Sequence, residues 1–249
     1  MVGLVSLSWV IASSLAFQSA PAASGPEDAA GAAKPLSPQD RGDIYMARKM
    51  YREAIETYMK APASAVMLNK IGIAYHQLVD LDTAAKYYAR SVKMDPLYSD
   101  AINNLGTIYY SKKSYRRAIA EYKKALHLKP NSASVLANLA NAYFERKQFD
   151  LASQTIQEAL TIDPNVFETR GSAGSVVQDR SVGDRAKYHY YLAKTYAKKG
   201  QNAEAIVYIR KALEEGFKEK KKFAEEPEFA GLRDDPEFKQ IMSVEPKVL

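Results

Sequence analysis

The chain has no cysteine, three histidines and a single tryptophan in 249 residues. Without thiols there is no disulfide framework, thiolate zinc site, iron–sulfur cluster or cysteine nucleophile. Histidines at 76, 127 and 189 are too few and too scattered for a multi-histidine metal centre, so neither metal nor cofactor is expected. Glycine (12) and proline (11) are too sparse for a collagen-like or low-complexity chain. Long apolar runs are also lacking: the uncharged stretch Val2 to Phe17 falls short of the roughly 20 residues a membrane span needs. No HExxH, GxSxG or Walker loop occurs. Gly171-Ser-Ala-Gly174-Ser lacks the Gly-Lys-Ser/Thr that would make it a phosphate loop. Catalysis needs positioned acids, bases or nucleophiles, and no such constellation is present, so the chain reads as non-enzymatic. The net charge of +6 is too modest to argue for nucleic acid.

What the sequence does contain begins with an apolar N-terminus. Val2–Phe17 is followed by Ala20-Pro21-Ala22-Ala23, a run of small residues. This pattern reads as a secretory signal over residues 1–22, although no basic residue precedes the apolar run. The expected location is therefore exported, in the periplasm, with membrane anchoring by an uncleaved N-terminus as the alternative. Residues 23–36 are rich in Ala, Gly and Pro and read as a flexible spacer.

Beyond the spacer the chain repeats itself every 34 residues. Leu68, Ile71, Gly72 and Tyr75 line up with Ile102, Leu105, Gly106 and Tyr109, then with Leu136, Leu139, Ala140 and Tyr143. The second halves agree at Ala84, Ala118 and Ala152, at Tyr88, Tyr122 and Ile156, and at Pro96, Pro130 and Pro164. Apolar positions 4, 7, 8 and 11 fall on one face of a first helix and positions 20, 24 and 27 on one face of a second. Small residues at 8, 20 and 27 let the helices approach closely. The proline stops the second helix, and Ser64, Ser99 and Ser132 are placed to cap the next first helix.

These positions resemble the tetratricopeptide repeat pattern. Three full copies span 65–98, 99–132 and 133–166. Two degenerate copies span 35–64, four residues short, and 186–219, where His189 takes a core position. The resemblance covers 37–219 and implies an all-α right-handed α-solenoid of about five hairpins. Residues 167–185 interrupt it as an insertion. Residues 220–249 form a C-terminal capping tail, in which Phe223, Phe229, Leu232 and Phe238 cover the last helix. Charges such as Arg116, Arg117, Lys123 and Lys124 point away from the core and read as a solvated face.

In this family the first helices line a concave groove. The outward positions there carry Asn69, Asn103, Asn104, Asn138 and Asn141. A carboxamide both donates and accepts, matching a peptide bond. Similar asparagine rows in the family hold extended peptides, so a protein or peptide partner is expected there. Tyr110, Phe144, Lys187, Tyr190, Tyr191 and Lys194 would add apolar and charged contacts. Neither nucleic acid nor a small-molecule substrate is expected, and membrane contact only through an uncleaved N-terminus. The alternative function is a structural subunit or spacer of an envelope assembly.

Overall fold

The computed structural model describes residues 35–167 and 182–244. The expected signal segment 1–22, nearly all of the spacer and most of the insertion lie outside the described residues. Among those that are described, every regular element is helical. Five hairpins follow one another: α1 (Pro38–Ala47) with α2 (Tyr51–Tyr58), α3 (Ala65–Gln77) with α4 (Leu81–Met94), α5 (Ser99–Ser111) with α6 (Tyr115–Leu128), α7 (Ala133–Glu145) with α8 (Phe149–Ile162), and α9 (Val182–Lys198) with α10 (Asn202–Glu214). The tail adds α11 (Lys221–Glu225), a 3₁₀ turn (Pro227–Leu232) and α12 (Pro236–Ser243). The solenoid of paired helices expected from the 34-residue period is therefore the fold. No helix among the described residues is long and apolar enough to cross a membrane.

The hairpins close on one recurring contact. A Cβ built on Gly72 would lie 2.6 Å from the Tyr88 ring, and one on Gly106 would lie 2.7 Å from the Tyr122 ring. Gly42 meets Tyr58 in the same way. Each tyrosine lies directly on helix backbone and is almost wholly buried. In the fourth and fifth hairpins the glycine becomes Ala140 or Ala193, and the tyrosine becomes Ile156 or Ile209, both fully buried. A methyl gained on one helix is thus matched by a smaller side chain on the other. Close packing leaves no alternative, because interiors have no spare volume to absorb the extra carbon.

Helix ends follow local chemistry, with two departures from expectation. The Ser64 hydroxyl accepts from the Met67 amide, as a cap should. Ser99, by contrast, is the first residue of α5, and its hydroxyl donates to the Ala125 carbonyl at 3.1 Å, tying helix to helix. Ser132 sits at the cap position but makes no cap bond; its hydroxyl pairs with that of Ser134 instead. In the tail, Asp235 caps α12 by accepting from the Glu237 and Phe238 amides. Phe223, Phe229 and Leu232 are fully buried, which at about 1.5–3 kcal/mol per large apolar side chain is a substantial anchor.

The fifth hairpin departs most from a simple continuation. Helices α3, α5 and α7 run in the same direction, as the contacts Asn69–Asn104 and Asn103–Asn138 require. At the start of α8, Phe149 stacks on Tyr191 (5.1 Å) and lies under the Lys187 ammonium (3.8 Å), both well before the end of α9. At the end of α8, Thr161 accepts from Lys199 at 2.9 Å. Helix α9 therefore runs parallel to α8 and antiparallel to α7. Consecutive helices joined by short turns are forced antiparallel; the insertion of residues 167–185 removes that constraint.

The glycine–tyrosine contact yields a quantitative expectation. Gly106→Ala should lower stability by about 1–3 kcal/mol through overpacking. Tyr122→Ile in the same chain should recover part of that loss, because the pair then matches Ala140 with Ile156. A double-mutant cycle by urea denaturation measures the coupling; strict additivity would refute the contact's role.

Candidate functional site

The groove residues expected from the sequence separate into three settings. The first is a hydrogen-bonded ladder. Asn104 Nδ2 donates to Asn69 Oδ1 at 3.0 Å, and Asn138 Nδ2 donates to Asn103 Oδ1 at 3.1 Å. The two adjacent asparagines join these rungs, Asn103 Nδ2 reaching Asn104 Oδ1 at 3.5 Å. Asn69 Nδ2 also donates to the Tyr98 hydroxyl at 3.3 Å. One line of side-chain contacts therefore crosses α3, α5 and α7. Neighbouring helix axes lie about 8–10 Å apart, close enough for two short amides to span the gap.

This corrects the picture of a free rank of amides. Asn69 is 4% exposed, Asn138 3% and Asn141 1%. Only Asn103 and Asn104 are half-exposed. The ladder does not exhaust them, however. Each carboxamide carries two N–H donors and two acceptor lone pairs, and the contacts above use one donor of each.

The ladder borders a concavity of about 500 Å³. Its lining includes Asn69, Asn103 and Asn104 together with Lys70, Tyr98, Asp100, Lys129 and Ser134. At its N-terminal rim, Lys70 Nζ contacts both Asp43 oxygens at 2.5 and 2.6 Å, and the Tyr58 hydroxyl donates to the same carboxylate at 2.5 Å. Burial alone would raise the Asp43 carboxyl. The Lys70 and Tyr58 hydrogen bonds outweigh it and hold the group below the ordinary carboxylate value. Burial, reinforced by that carboxylate, pushes the Tyr58 phenol well above the usual tyrosine value, so it stays a donor. Asp100 and Ser134 stand at repeat position 2, and Lys70 at position 6. Both positions face outward in the repeat pattern, so register signals these residues, whereas residue type does not, since none of them is a carboxamide.

The second setting is an aromatic junction where the fifth hairpin meets the fourth. Phe144, 4% exposed, packs edge-on against Phe149, Tyr188 and Tyr191. Tyr110, half-buried, donates from its hydroxyl to Glu145 at 3.3 Å. Lys187 caps the junction over the Phe149 ring. Phe144 thus serves as core and not as a groove wall.

The third setting lies beneath the capping tail. Tyr190 is buried, stacks on Phe217 at 4.6 Å and donates to Glu226 at 2.7 Å. Lys194 pairs with Glu226 at 3.1 Å and Glu228 at 3.4 Å. Burial pulls the Lys194 ammonium down, and these two carboxylates more than offset it. Tyr191 and Lys194 line a separate concavity of about 420 Å³ between α8 and α9. Because α9 is reversed, none of Lys187, Tyr190, Tyr191 and Lys194 extends the asparagine row. His189 is 8% exposed and meets Glu215 at 2.7 Å, a packed histidine bridging α9 and α10. No group of acids and histidines suited to a metal ion occurs among the described residues.

Comparison with known proteins places this geometry. Models described as tetratricopeptide repeat match residues 39–99, 133–166 and 186–215, and one described as TPR repeat matches 106–146. No curated protein sequence matches the chain. Among solved structures, MamA 41-end from Desulfovibrio magneticus RS-1 is 19% identical, with a TM-score of 0.51 over 71% of this chain and 92% of that one. A second MamA crystal structure is 22% identical, with a TM-score of 0.50 over 76% and 93%. At this level of identity the likeness is one of fold.

The ladder's energetic role can be measured directly. Asn104→Ala strips the buried Asn69 carbonyl of its partner and should cost about 1–3 kcal/mol in urea denaturation. Asn131→Ala, at an exposed position outside the ladder, should stay within about 0.5 kcal/mol of the parent. Equal effects at the two positions would show that the ladder contributes nothing.

Proposed function

Because the chain belongs to the tetratricopeptide-repeat family, we propose that it is a non-enzymatic scaffold that takes an extended segment of a partner protein into the concavity beside the asparagine ladder. The observation that carries this reading is the pairing of a 500 Å³ concavity with amides held in place by one another. Preorganised amides lose little side-chain entropy when they meet a peptide backbone. The remaining donors of Asn103 and Asn104 match peptide carbonyls, and their remaining lone pairs match peptide N–H groups. A few such bonds at about 0.5–1.5 kcal/mol each suit roughly micromolar binding. The lining carries Lys70 and Lys129 together with Asp43 and Asp100, so a segment of mixed charge fits better than a strongly acidic one.

The test must block the concavity without breaking the ladder. Asp100→Lys combined with Ser134→Arg adds bulk at two exposed lining positions, neither of which bonds to the ladder asparagines. Peptides selected by panning on the parent chain should bind this variant at least about tenfold more weakly, a loss of roughly 1.4 kcal/mol. Unchanged affinity with unchanged helicity rejects the groove as the binding site.

The scaffold is further proposed to act after export to the periplasm. Support comes from the apolar run Val2–Phe17 and the small residues Ala20 to Ala23. N-terminal sequencing of the protein recovered from its native envelope should begin near residue 23 or 24. An intact Met1 on cytosolic material would overturn export.

A further inference from the structure

The turns between the two helices of each hairpin share one unusual feature. Lys49, Val79, Lys113 and Lys147 all have left-handed backbones, with φ of 59°, 62°, 56° and 59°. The equivalent residue of the fifth hairpin is Gly200, φ 73°. Glycine adopts this conformation without strain, whereas any side chain there is disfavoured and a β-branched one most of all. Four hairpins therefore forgo the residue that would stabilise them best. Strain retained at corresponding positions points toward function at those positions.

All four turns lie along one edge of the array, since α1, α3, α5 and α7 each deliver their C-terminal end there. Lys112 pairs with Asp82 across adjacent turns, and Tyr110 bonds Glu145 across the next pair. The edge is cationic and exposed. Arg48, Lys49, Lys113, Arg146 and Lys147 are all exposed, and none of them is paired with an acid among the described residues. Most of the acids nearby are engaged locally: Asp80 caps α4, Asp82 holds Lys112, and Glu145 accepts from Tyr110, while Glu53 in the first turn of α2 is exposed. Asp150 turns into the α8–α9 concavity.

The row is not purely charged. Val79 is 76% exposed and Leu78 38% exposed, an apolar tip between cationic neighbours. An acidic peptide or a nucleic acid gains nothing from a solvent-facing valine. A bilayer surface does, because headgroups attract the cations while the aliphatic tip enters the boundary below them. The charges also sit on separate rigid hairpins, a spacing that laterally mobile lipids accommodate without any fixed sequence.

We propose that this turn edge, centred on Lys49, Val79, Lys113 and Lys147, is a docking surface for an anionic lipid bilayer. The surface is distinct from the groove.

The experiment is sedimentation of the full chain with vesicles of neutral phosphatidylcholine, or with about 30% phosphatidylglycerol, at roughly 0.1 M salt. Binding is expected on the anionic vesicles and should weaken as salt rises. Lys113→Glu with Lys147→Glu should reduce it by at least about fivefold per lysine. Lys113→Gly with Lys147→Gly provides the decisive control. It should raise the thermal midpoint, by relieving the left-handed turns, while lowering vesicle binding. Equal sedimentation with neutral vesicles, full binding by the charge-reversed chain, or capture on polyglutamate or an oligonucleotide in place of vesicles would each overturn the proposal.

Discussion

In the first three hairpins the distance between the two helices is set by an aromatic ring lying on bare backbone. Gly72 and Gly106 leave room on α3 and α5 that Tyr88 and Tyr122 fill from α4 and α6. Every other contact is built on that spacing. It brings Ser91 and Ser99 close enough to bond carbonyls of the opposite helix, at 2.7 and 3.1 Å. Repeated in register, it also brings α3, α5 and α7 near enough for asparagine to reach asparagine. A hairpin forced wider at the seam would open the ladder as well, so the packing and the polar ladder are one mechanical system. The substitution of Ala140 with Ile156, and of Ala193 with Ile209, shows that combined volume at the seam is the quantity held constant.

Much of this was legible in the sequence because the relevant interactions are local. A hairpin with a short turn has only one way to fold back, so the 34-residue period alone fixes which faces meet. The capping tail was legible for a related reason: Asp235-Pro236 announces a helix start, and the aromatic residues around it have no other greasy surface to cover. The first hairpin was only partly legible. The first copy is four residues short of the period, which shows that it is truncated but not where, and α2 has eight residues where α4 has fourteen.

Two features escaped the sequence for identifiable physical reasons. Position in a repeat says that a side chain faces the concave surface. It does not say whether the neighbouring helix lies close enough to take up the side chain's hydrogen bonds. Asn69 and Asn138 face that surface and are nevertheless buried by what sits beside them. The direction of α9 was equally hidden. Short loops force antiparallel neighbours, and the 167–185 insertion releases the rule without leaving any mark on the pattern inside the fifth hairpin. Leu192, Tyr196, Ala205 and Ile209 keep the correct phase in either orientation, since phase records which face is apolar and not which way the helix points.

The reversal bears on how far a guest could extend. In an unbroken solenoid each further hairpin would add outward positions to the same trough. Here the reversed α9 does not continue that series, and Phe144, Phe149, Tyr188 and Tyr191 instead close into an aromatic junction at the C-terminal end of α7. The tail then ties α9 down through Tyr190, Lys194 and Glu226. The concavity runs from the Asp43–Lys70 pair to Ser134 and Val135 at the start of α7, and so short a trough limits the number of bonds a peptide can make. Under the proposed function, affinity would then come from the preparedness of the amides and less from their number. Under the proposed function their bonds to one another would favour recognition: a free asparagine on an exposed helix loses rotamer entropy on meeting a guest, whereas one already held by its neighbour has little left to lose.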